Sequence, residues 1–167
     1  LFGGAGSDVL NGPDLALSYH FSAVDTFTVA GVEVSQIDII NAGSAADSFS
    51  WNDAVRFNGS IDAGGGNDLF TLAVDSGANA VSGGSGEDQF VGLTARQYEV
   101  SGDQLILIGD QQWSGIENWQ ASAAADVVLW RAAGRIAGEF KLEGGDDVIA
   151  FDQGLSANFA GLLDMGA

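Results

Sequence analysis

The sequence predicts an all-β protein that folds as a parallel β-solenoid, a β-helix or β-roll with about eight coils of ~20 residues each. Three observations lead to this prediction. Glycine-rich turns that end in aspartate recur along the chain, the aspartates are spaced by one or two multiples of about 20 residues, and apolar residues alternate with polar ones beside them. A chain of this kind places similar turns and similar apolar positions on top of one another.

The turn motif occurs in three segments. Residues 3–8 read GGAGSD, residues 63–68 read AGGGND and residues 83–88 read GGSGED. After each, one residue intervenes before a large apolar side chain. Glycine allows a tight turn with positive φ, and aspartate supplies a hard oxygen ligand, so these turns are candidates for cation binding.

The spacing of the turn aspartates indicates repeats on two scales. The aspartates are Asp8, Asp47, Asp68, Asp88, Asp126 and Asp147. The two wide gaps between them leave room for further coils, centred near residues 27–29 and 106–108. A shift of 79 residues also places Asp47 on Asp126 and Trp51 on Trp130. The sequence therefore predicts one solenoid over residues 1–167, made of two four-coil repeats, residues 1–81 and 82–167.

Apolar residues stand at the same steps from these aspartates, as stacked inward columns require. Seven residues before an aspartate stand Leu1, Ile40, Ile61, Val81, Trp119 and Phe140. Two residues after stand Leu10, Phe49, Phe70, Phe90, Val128 and Ile149. Apolar spacing of two is strand spacing, so we expect short β-strands, tryptophans in the core and little helix. Second turns are predicted at residues 58–59, 75–77 and 152–154, which carry turn-forming residues.

Charge and composition restrict the partners. The formal net charge is −18 with only five basic residues, which favours a cation and argues against nucleic acid or an anionic membrane. No apolar run approaches the ~18 residues of a membrane span, so no membrane insertion is expected. Cysteine is absent, which is consistent with secretion. The chain begins with Leu1 instead of Met, which indicates a segment or a processed product of a longer chain.

The turns resemble the RTX nonapeptide repeat GGxGxDxUx, where U is apolar. The resemblance implies that turns of adjacent coils share a calcium ion, Ca²⁺, and residues 63–68 and 83–88 are the pair that fits. The implied calcium-site residues of this pair are Ala63, Gly64, Gly66, Asn67 and Asp68 with Gly83, Gly84, Gly86, Glu87 and Asp88. Half-sites are implied at Gly3, Gly4, Gly6 and Asp8, and at Gly145, Asp146 and Asp147.

Two of the turns are predicted to be free of calcium. Alanines precede Asp47 and Asp126, where glycine would avoid the steric penalty of positive φ. Their aspartates are interpreted as local hydrogen-bond acceptors. The same interpretation stays open for the complete turns, which can serve as tight structural corners without an ion.

A wider resemblance concerns residues 59–70 and the segment GIENW at residues 115–119. These are similar to the long repeats of very large bacterial surface and adhesin-like proteins. The resemblance implies a structural, calcium-responsive repeat segment of an extracellular bacterial adhesin-like stalk or self-assembling filament, located at the cell surface. The alternative is an RTX repeat domain attached to a secreted enzyme, such as a lipase, a protease or a polysaccharide-active enzyme.

The segment itself is not expected to be an enzyme. Its one histidine, His20, has no evident catalytic partner in the sequence and is interpreted as a surface or strand residue. Neither Leu1 and Phe2 nor residues 162–165 have the polar character of a cap, and uncapped strand edges associate. We therefore expect like segments to stack end to end as a homo-oligomer or filament.

Overall fold

A computed structural model describes residues 1–152 and 162–166. Over these residues the chain forms eighteen short β-strands and no α-helix, so the prediction of an all-β protein is confirmed. The strands are β1 (Val9–Asn11), β2 (Ser18–Ala23), β3 (Thr26–Val29), β4 (Val32–Ser35), β5 (Ile39–Asn41), β6 (Ser48–Trp51), β7 (Arg56–Asp62), β8 (Leu69–Leu72), β9 (Gly77–Ser82), β10 (Gln89–Gly92), β11 (Gln97–Gly102), β12 (Leu105–Ile108), β13 (Gln111–Ser114), β14 (Asn118–Gln120), β15 (Val127–Trp130), β16 (Glu139–Lys141), β17 (Val148–Phe151) and β18 (Leu162–Asp164).

The described strands form two nine-stranded sheets. The first sheet has the order β1-β5-β7-β9-β13-β12-β11-β15-β17, and the second has the order β18-β16-β14-β10-β8-β6-β2-β3-β4. Both sheets are mixed. The pairs β2/β3, β3/β4, β11/β12 and β12/β13 are antiparallel, whereas the other pairs between described strands are parallel. The fold therefore resembles a β-sandwich of two mixed sheets.

The prediction of a parallel β-solenoid with about eight ~20-residue coils is wrong. The coils expected near residues 27–29 and 106–108 are instead the middle strands of two antiparallel units, β2–β4 and β11–β13. Away from these units, residues paired across neighbouring parallel strands are 20 or 21 positions apart in the sequence. Across the first unit, between β1 and β5, they are 30 positions apart. Alternating apolar residues suit both kinds of strand pair, which is why the apolar pattern alone did not reveal the hairpins.

Tight turns cause the chain to reverse within these units. Ala30 and Gly31 both have positive φ, 49° and 74°, between β3 and β4. Two central residues of positive φ are typical of a two-residue hairpin turn, whose twist matches that of antiparallel strands. Gly109, with φ 62°, lies at the corresponding turn between β12 and β13. These tight turns thus keep the following strand in the same sheet, whereas elsewhere the chain crosses to the other sheet.

Outside the antiparallel units, successive described strands alternate between the sheets. The units β2–β4 and β11–β13 start 79 residues apart, at Ser18 and Gln97, but the first lies in the second sheet and the second lies in the first sheet. The same exchange holds for β1 and β10, β6 and β15, and β8 and β17. The assignment of repeats to residues 1–81 and 82–167 stays a prediction.

Stacked aromatic rings run through the second sheet. The rings of Tyr19 and Phe49 are 4.8 Å apart and those of Phe49 and Phe70 are 4.9 Å apart, in nearly parallel planes. Phe90 stacks on Trp119 at 4.5 Å in the same way. Parallel pairing in register places equivalent side chains side by side, and aromatic pairs of this kind stabilise by about 0.5–1.5 kcal/mol beyond the burial of their area.

Aromatic contacts between the two sheets close the core. Trp113 of the first sheet meets Phe70 and Phe90 of the second edge to face, with ring centroids 5.8 and 5.2 Å apart. The predicted apolar columns are buried in the middle of the sheets, and the four tryptophans are buried as expected. The first column becomes exposed at its end, at Leu1.

The predicted second turns differ in outcome. Asp75, with φ 46°, lies in a turn before β9, as predicted. Residues 58–59 lie instead inside β7, where the register against β9 shifts between Phe57 and Ser60. Residues 153–154 of the third predicted turn lie outside the described residues.

Candidate functional site

Three aspartate-terminated turns lie directly on one another beside the core. They are residues 43–47, 64–68 and 83–88. The N–H of Gly65 donates to the oxygen of Gly43 at 3.0 Å, and the N–H of Ser85 donates to the oxygen of Gly64 at 2.9 Å. A Cβ at Gly84, where φ is 103°, would clash with the Gly64 oxygen. Glycine is therefore needed here both for the backbone conformation and for the close approach of the turns.

Each turn carboxylate accepts a hydrogen bond from the neighbouring layer. Oδ1 of Asp47 accepts from the N–H of Leu17 at 2.7 Å, and Oδ1 of Asp68 accepts from the N–H of Asp47 at 2.7 Å. Oδ1 of Asp88 accepts from the N–H of Asp68 at 2.8 Å, and the N–H of Asp88 donates to Oε2 of Glu117 at 2.9 Å. The aspartates thus form a continuous ladder through the turns.

The last acceptor of this ladder, Glu117, was missed by the sequence analysis. It lies just before β14 and outside the aspartate-terminated turns. The repeat contained a signal for it, because a shift of 79 residues places Asp38 on Glu117. Oδ2 of Asp38 accepts from the N–H of Asp8 at 2.8 Å, as Glu117 accepts from Asp88.

A second ladder lies in the later part of the chain. Oδ1 of Asp126 accepts from the N–H of Arg96 at 2.6 Å, and the N–H of Asp126 donates to Oδ1 of Asp147 at 2.8 Å. Oδ2 of Asp126 also has donors, the N–H and the hydroxyl of Ser122 at 3.0 and 2.9 Å. Both oxygens of this carboxylate are therefore satisfied by the protein.

Several other turn carboxylates keep one buried oxygen without a donor. Among the described residues, Oδ2 accepts no hydrogen bond in Asp8, Asp47, Asp68, Asp88 and Asp147. Asp68 is 1 % exposed and Asp88 is 0 % exposed. A buried carboxylate oxygen without a partner is unfavourable unless the group is neutralised by a proton or a cation.

Burial alters the acidity of these groups. Burial raises the pKa of Asp68 to about 7, and the neighbouring charges of Asp88, Asp47 and Asp62 add to the rise, against a backbone hydrogen bond that lowers it. The pKa values of Asp47 and Asp88 are also raised, again mainly by burial. In the absence of a cation, folding therefore favours the protonated carboxyl at Asp68.

The residues of the stacked turns fit a calcium ion in ligand type. The buried Oδ2 atoms of Asp68 and Asp88 are hard oxygen ligands, and backbone carbonyls of turns are common calcium ligands. Within the described part of the chain, however, no group of three His, Cys, Asp or Glu side chains is arranged to hold a metal. An ion here would thus depend on carbonyl oxygens for the rest of its coordination.

The structure brings the ten predicted residues of the turn pair together. Ala63 is buried and its N–H donates to the oxygen of Ser82 at 2.9 Å, at the base of the turns. Oδ1 of the exposed Asn67 side chain accepts from the backbone N–H of Glu87 at 3.1 Å, which connects the two turns on their outer side. Asp68 also borders a surface cavity, which Glu87 shares.

The two predicted half-sites lie against parts of the chain other than the turns of Asp68 and Asp88. In residues 3–8, the N–H of Gly3 donates to the oxygen of Ser35 at 3.0 Å, so this turn lies beside the end of β4. Residues 143–147 lie against the turn of Asp126, where Gly145 has φ 129° and a Cβ would contact Ala124. Neither half-site joins the Asp68 and Asp88 layers within one chain.

His20 lies on the outer side of the second sheet, as its strand position suggested. It is exposed on β2, and its Nδ1 lies 3.0 Å from Oγ of Ser50 on β6. The two residues are directly opposite in the parallel pair. The contact is a cross-strand polar pair.

Within the described residues, no helix has the length and apolar character needed to cross a membrane. The resemblance to RTX repeats and to bacterial surface proteins stays a prediction. Comparisons with protein-family models, curated proteins and solved structures find no match to this chain.

Proposed function

We propose that this chain is a calcium-responsive structural repeat segment of an extracellular bacterial assembly, such as a stalk or a filament. The observation that carries the proposal is the pair of buried Oδ2 atoms of Asp68 and Asp88, which have no donor among the described residues although their turns lie on each other. Calcium would be held by these two carboxylates and by backbone oxygens of the turns.

The positive charge of the ion neutralises the two carboxylates, whose Oδ2 atoms have no hydrogen-bond donor among the described residues. Two carboxylates about 5 Å apart repel by roughly 3 kcal/mol at an effective dielectric constant near 20. The layers cannot move apart to relieve this repulsion, because the N–H of Asp68 is bonded to Asp88 and the backbones are bonded at Gly64 and Ser85. A bound cation therefore stabilises the folded chain.

The remaining features support a structural role. The hydrogen bonds of the turn aspartates connect successive turns of the stack, and the net charge of −18 favours cations over anionic partners. An extracellular location goes with this role, because calcium sites of extracellular modules work at about 10⁻⁴–10⁻³ M.

Thermal unfolding of the chain in EDTA and in 5 mM calcium tests the proposal. At a Kd of about 10⁻⁴–10⁻³ M, 5 mM calcium stabilises the folded state by roughly 1–2 kcal/mol. For a chain of this size we expect a rise in Tm of about 2–9 °C. An unchanged Tm contradicts the proposal.

A matched pair of variants localises the effect. Asp68→Asn keeps the Oδ1 acceptor for Asp47 but removes the charge, so the calcium-dependent rise in Tm should be lost. Asp126→Asn makes the same change at a carboxylate whose two oxygens have protein donors, and its rise in Tm should persist. Equal calcium responses in the two variants would place the ion elsewhere.

A further inference from the structure

The strand pattern of the chain recurs after nine strands. β10 corresponds to β1, and β11–β13 correspond to β2–β4. Near the other end of each set, β17 corresponds to β8 and β18 corresponds to β9. The last correspondence follows from register, because Leu163 pairs with Phe140 as Val81 pairs with Ile61.

Two parallel strand pairs connect the first nine strands to the second nine in the described part of the chain. β8 pairs with β10, with Phe70 opposite Phe90. β9 pairs with β13, with Val81 opposite Trp113. The turn of residues 64–68 lies on the turn of residues 83–88 at this place, which we call the internal junction.

The strands at the ends of the sandwich correspond to the two sides of the internal junction. β17 and β18 lie at one end of the sheets and correspond to β8 and β9. β1 and β4 lie at the other end and correspond to β10 and β13. Exposed apolar side chains are present at both ends, with Val148 and Leu162 at one and Val9 and Val32 at the other.

We infer that a second copy of this chain joins end to end by reproducing the internal junction. β17 of one copy pairs with β1 of the next, with Ile149 opposite Leu10 as Phe70 is opposite Phe90. In the other sheet, β18 pairs with β4, with Leu163 opposite Val34. The paired edges then bury apolar groups that are exposed in the single chain.

This contact completes a cation site that neither copy holds alone, and in this respect the inference rests on the proposed function. Asp147 corresponds to Asp68, and Asp8 corresponds to Asp88. The junction therefore places the turn of Asp147 on the turn of Asp8 from the next copy. Both residues carry a buried Oδ2 without a donor among the described residues, as Asp68 and Asp88 do. Calcium is then required for association, because it neutralises the two ends.

One segment must move for the second sheet to continue. Phe2 forms a parallel bridge with Ser35, and the N–H of Ser35 donates to the oxygen of Leu1 at 3.0 Å. Leu1 thus lies beside β4 where β18 of the preceding copy would lie. Displacement breaks the hydrogen bonds of Leu1 with the oxygen of Glu33 and with the N–H of Ser35, which strand pairing with β18 would replace. Leu1 and Phe2 are each 67 % exposed, so little apolar burial is lost.

Sedimentation velocity of the full chain between 10 and 300 µM tests the inference. We expect monomers in EDTA and a series of dimers and longer species in 5 mM calcium, with an association constant at least tenfold higher. A single monomeric species in calcium over this range overturns the inference. Equal association in EDTA overturns the shared cation site.

Two pairs of variants locate the contact. Asp147→Asn keeps the Oδ1 acceptor for Asp126 but should abolish the tenfold effect of calcium, whereas Asp103→Asn, an equal charge change on an exposed turn, should keep it. The N–H of Phe151 faces away from β15, because those of Val148 and Asp152 donate to that side. Phe151→Pro should therefore abolish association that Phe151→Ala retains.

A variant with weaker contacts at Leu1 and Phe2 distinguishes specific strand pairing from nonspecific hydrophobic association. Leu1→Gly with Phe2→Gly removes exposed apolar area, yet it should strengthen association because the displaced segment binds less well. Weaker association in this variant contradicts displacement. If Phe151→Pro is unfolded by circular dichroism, the Asp147 and Leu1 variants decide the outcome.

The proposed function and the junction can fail separately. Asp68→Asn should lose the calcium-dependent rise in Tm at low protein concentration but keep calcium-dependent association, because its ends are unchanged. A rise in Tm without association overturns the junction and leaves the proposed function standing. Loss of association in Asp68→Asn, with native circular dichroism, overturns the assignment of the site to Asp147 and Asp8.

Discussion

The backbone N–H of Asp68 donates to Oδ1 of Asp88 over 2.8 Å, while Oδ2 of each carboxylate has no donor among the described residues. One oxygen of Asp88 therefore connects two layers of the protein, and the other is available to a proton or a cation. Asp126 shows the contrasting case, because Ser122 donates to its second oxygen. The position of one serine thus separates a carboxylate that the protein satisfies from one that it does not.

The stability of the calcium-free chain should decrease as the pH rises from about 4 to 7. Burial raises the pKa of Asp68 to about 7 in the folded state, and the charges of Asp88, Asp47 and Asp62 add to the rise. An aspartate in an unfolded chain has a pKa of about 3.9. The folded state therefore holds the proton more tightly than the unfolded state. This contribution to the free energy of unfolding is fully present below the unfolded pKa and is lost as the pH rises through the folded pKa, with a slope of at most about 1.4 kcal/mol per pH unit.

Thermal unfolding in EDTA at a series of pH values measures this slope. The control is Asp68→Asn, which cannot titrate at that position and should show a shallower decrease in Tm. Calcium should raise the Tm most at the upper end of the range, where the carboxyl is ionised. Identical slopes for the wild type and the variant contradict the assignment.

Gly84→Ala should destabilise the chain more than Gly109→Ala. Both glycines have positive φ, which costs an alanine about 1–2 kcal/mol. Only Gly84 lies against a backbone oxygen, that of Gly64, whereas a Cβ at Gly109 meets nothing within 4 Å. Urea unfolding should give a loss of about 1 kcal/mol for Gly109→Ala and about 3 kcal/mol for Gly84→Ala. Equal losses would show that the turns can separate freely.

Trp113→Ala should remove about 3–5 kcal/mol of the free energy of unfolding. The ring is fully buried and contacts Phe70 and Phe90 across the two sheets, so its loss leaves a cavity at the centre of the core. Leu93→Ala, at a side chain that is 57 % exposed, should change the same quantity by less than about 0.5 kcal/mol. Urea denaturation of both variants checks the difference.

Ala30→Gly should stabilise the chain, although glycine usually destabilises. Ala30 has a φ of 49°, which is strained for an L-residue and free of strain for glycine. The relief of strain exceeds the added entropy of the unfolded chain, with a net gain of about 0.5 kcal/mol. Ala95→Gly, at an exposed position without positive φ, should instead lower stability. A loss in both variants contradicts the turn geometry.

The apolar columns and the turn pair could be predicted because they depend on local residue types. Phe49, Phe70 and Phe90 stand two residues after their aspartates, and the parallel strands place them in neighbouring core positions. The glycines of residues 64–68 and 83–88 indicated turns that lie on one another. In both cases a repeated sequence position became a repeated position in space.

The antiparallel units and the outer acceptors could not be predicted in the same way. A positive φ at Ala30 depends on tertiary context, because alanine has no preference for it. Glu117 accepts from Asp88 across 29 residues of sequence, and only its correspondence to Asp38 indicated this role. Non-local hydrogen bonds of this kind leave almost no local pattern.

The exchange of sheets between the two sets of nine strands has a geometrical consequence. Each set of nine strands forms seven segments that alternate between the sheets, because the three strands of its antiparallel unit stay in one sheet, so the chain enters the second set in the opposite sheet. The second set is therefore rotated by half a turn relative to the first, about the direction in which the strands accumulate. A feature on the outer face of one set, such as His20 beside Ser50, therefore has its counterpart at Glu99 and Leu129 on the opposite side of the molecule. The two sets therefore present equivalent faces in opposite directions.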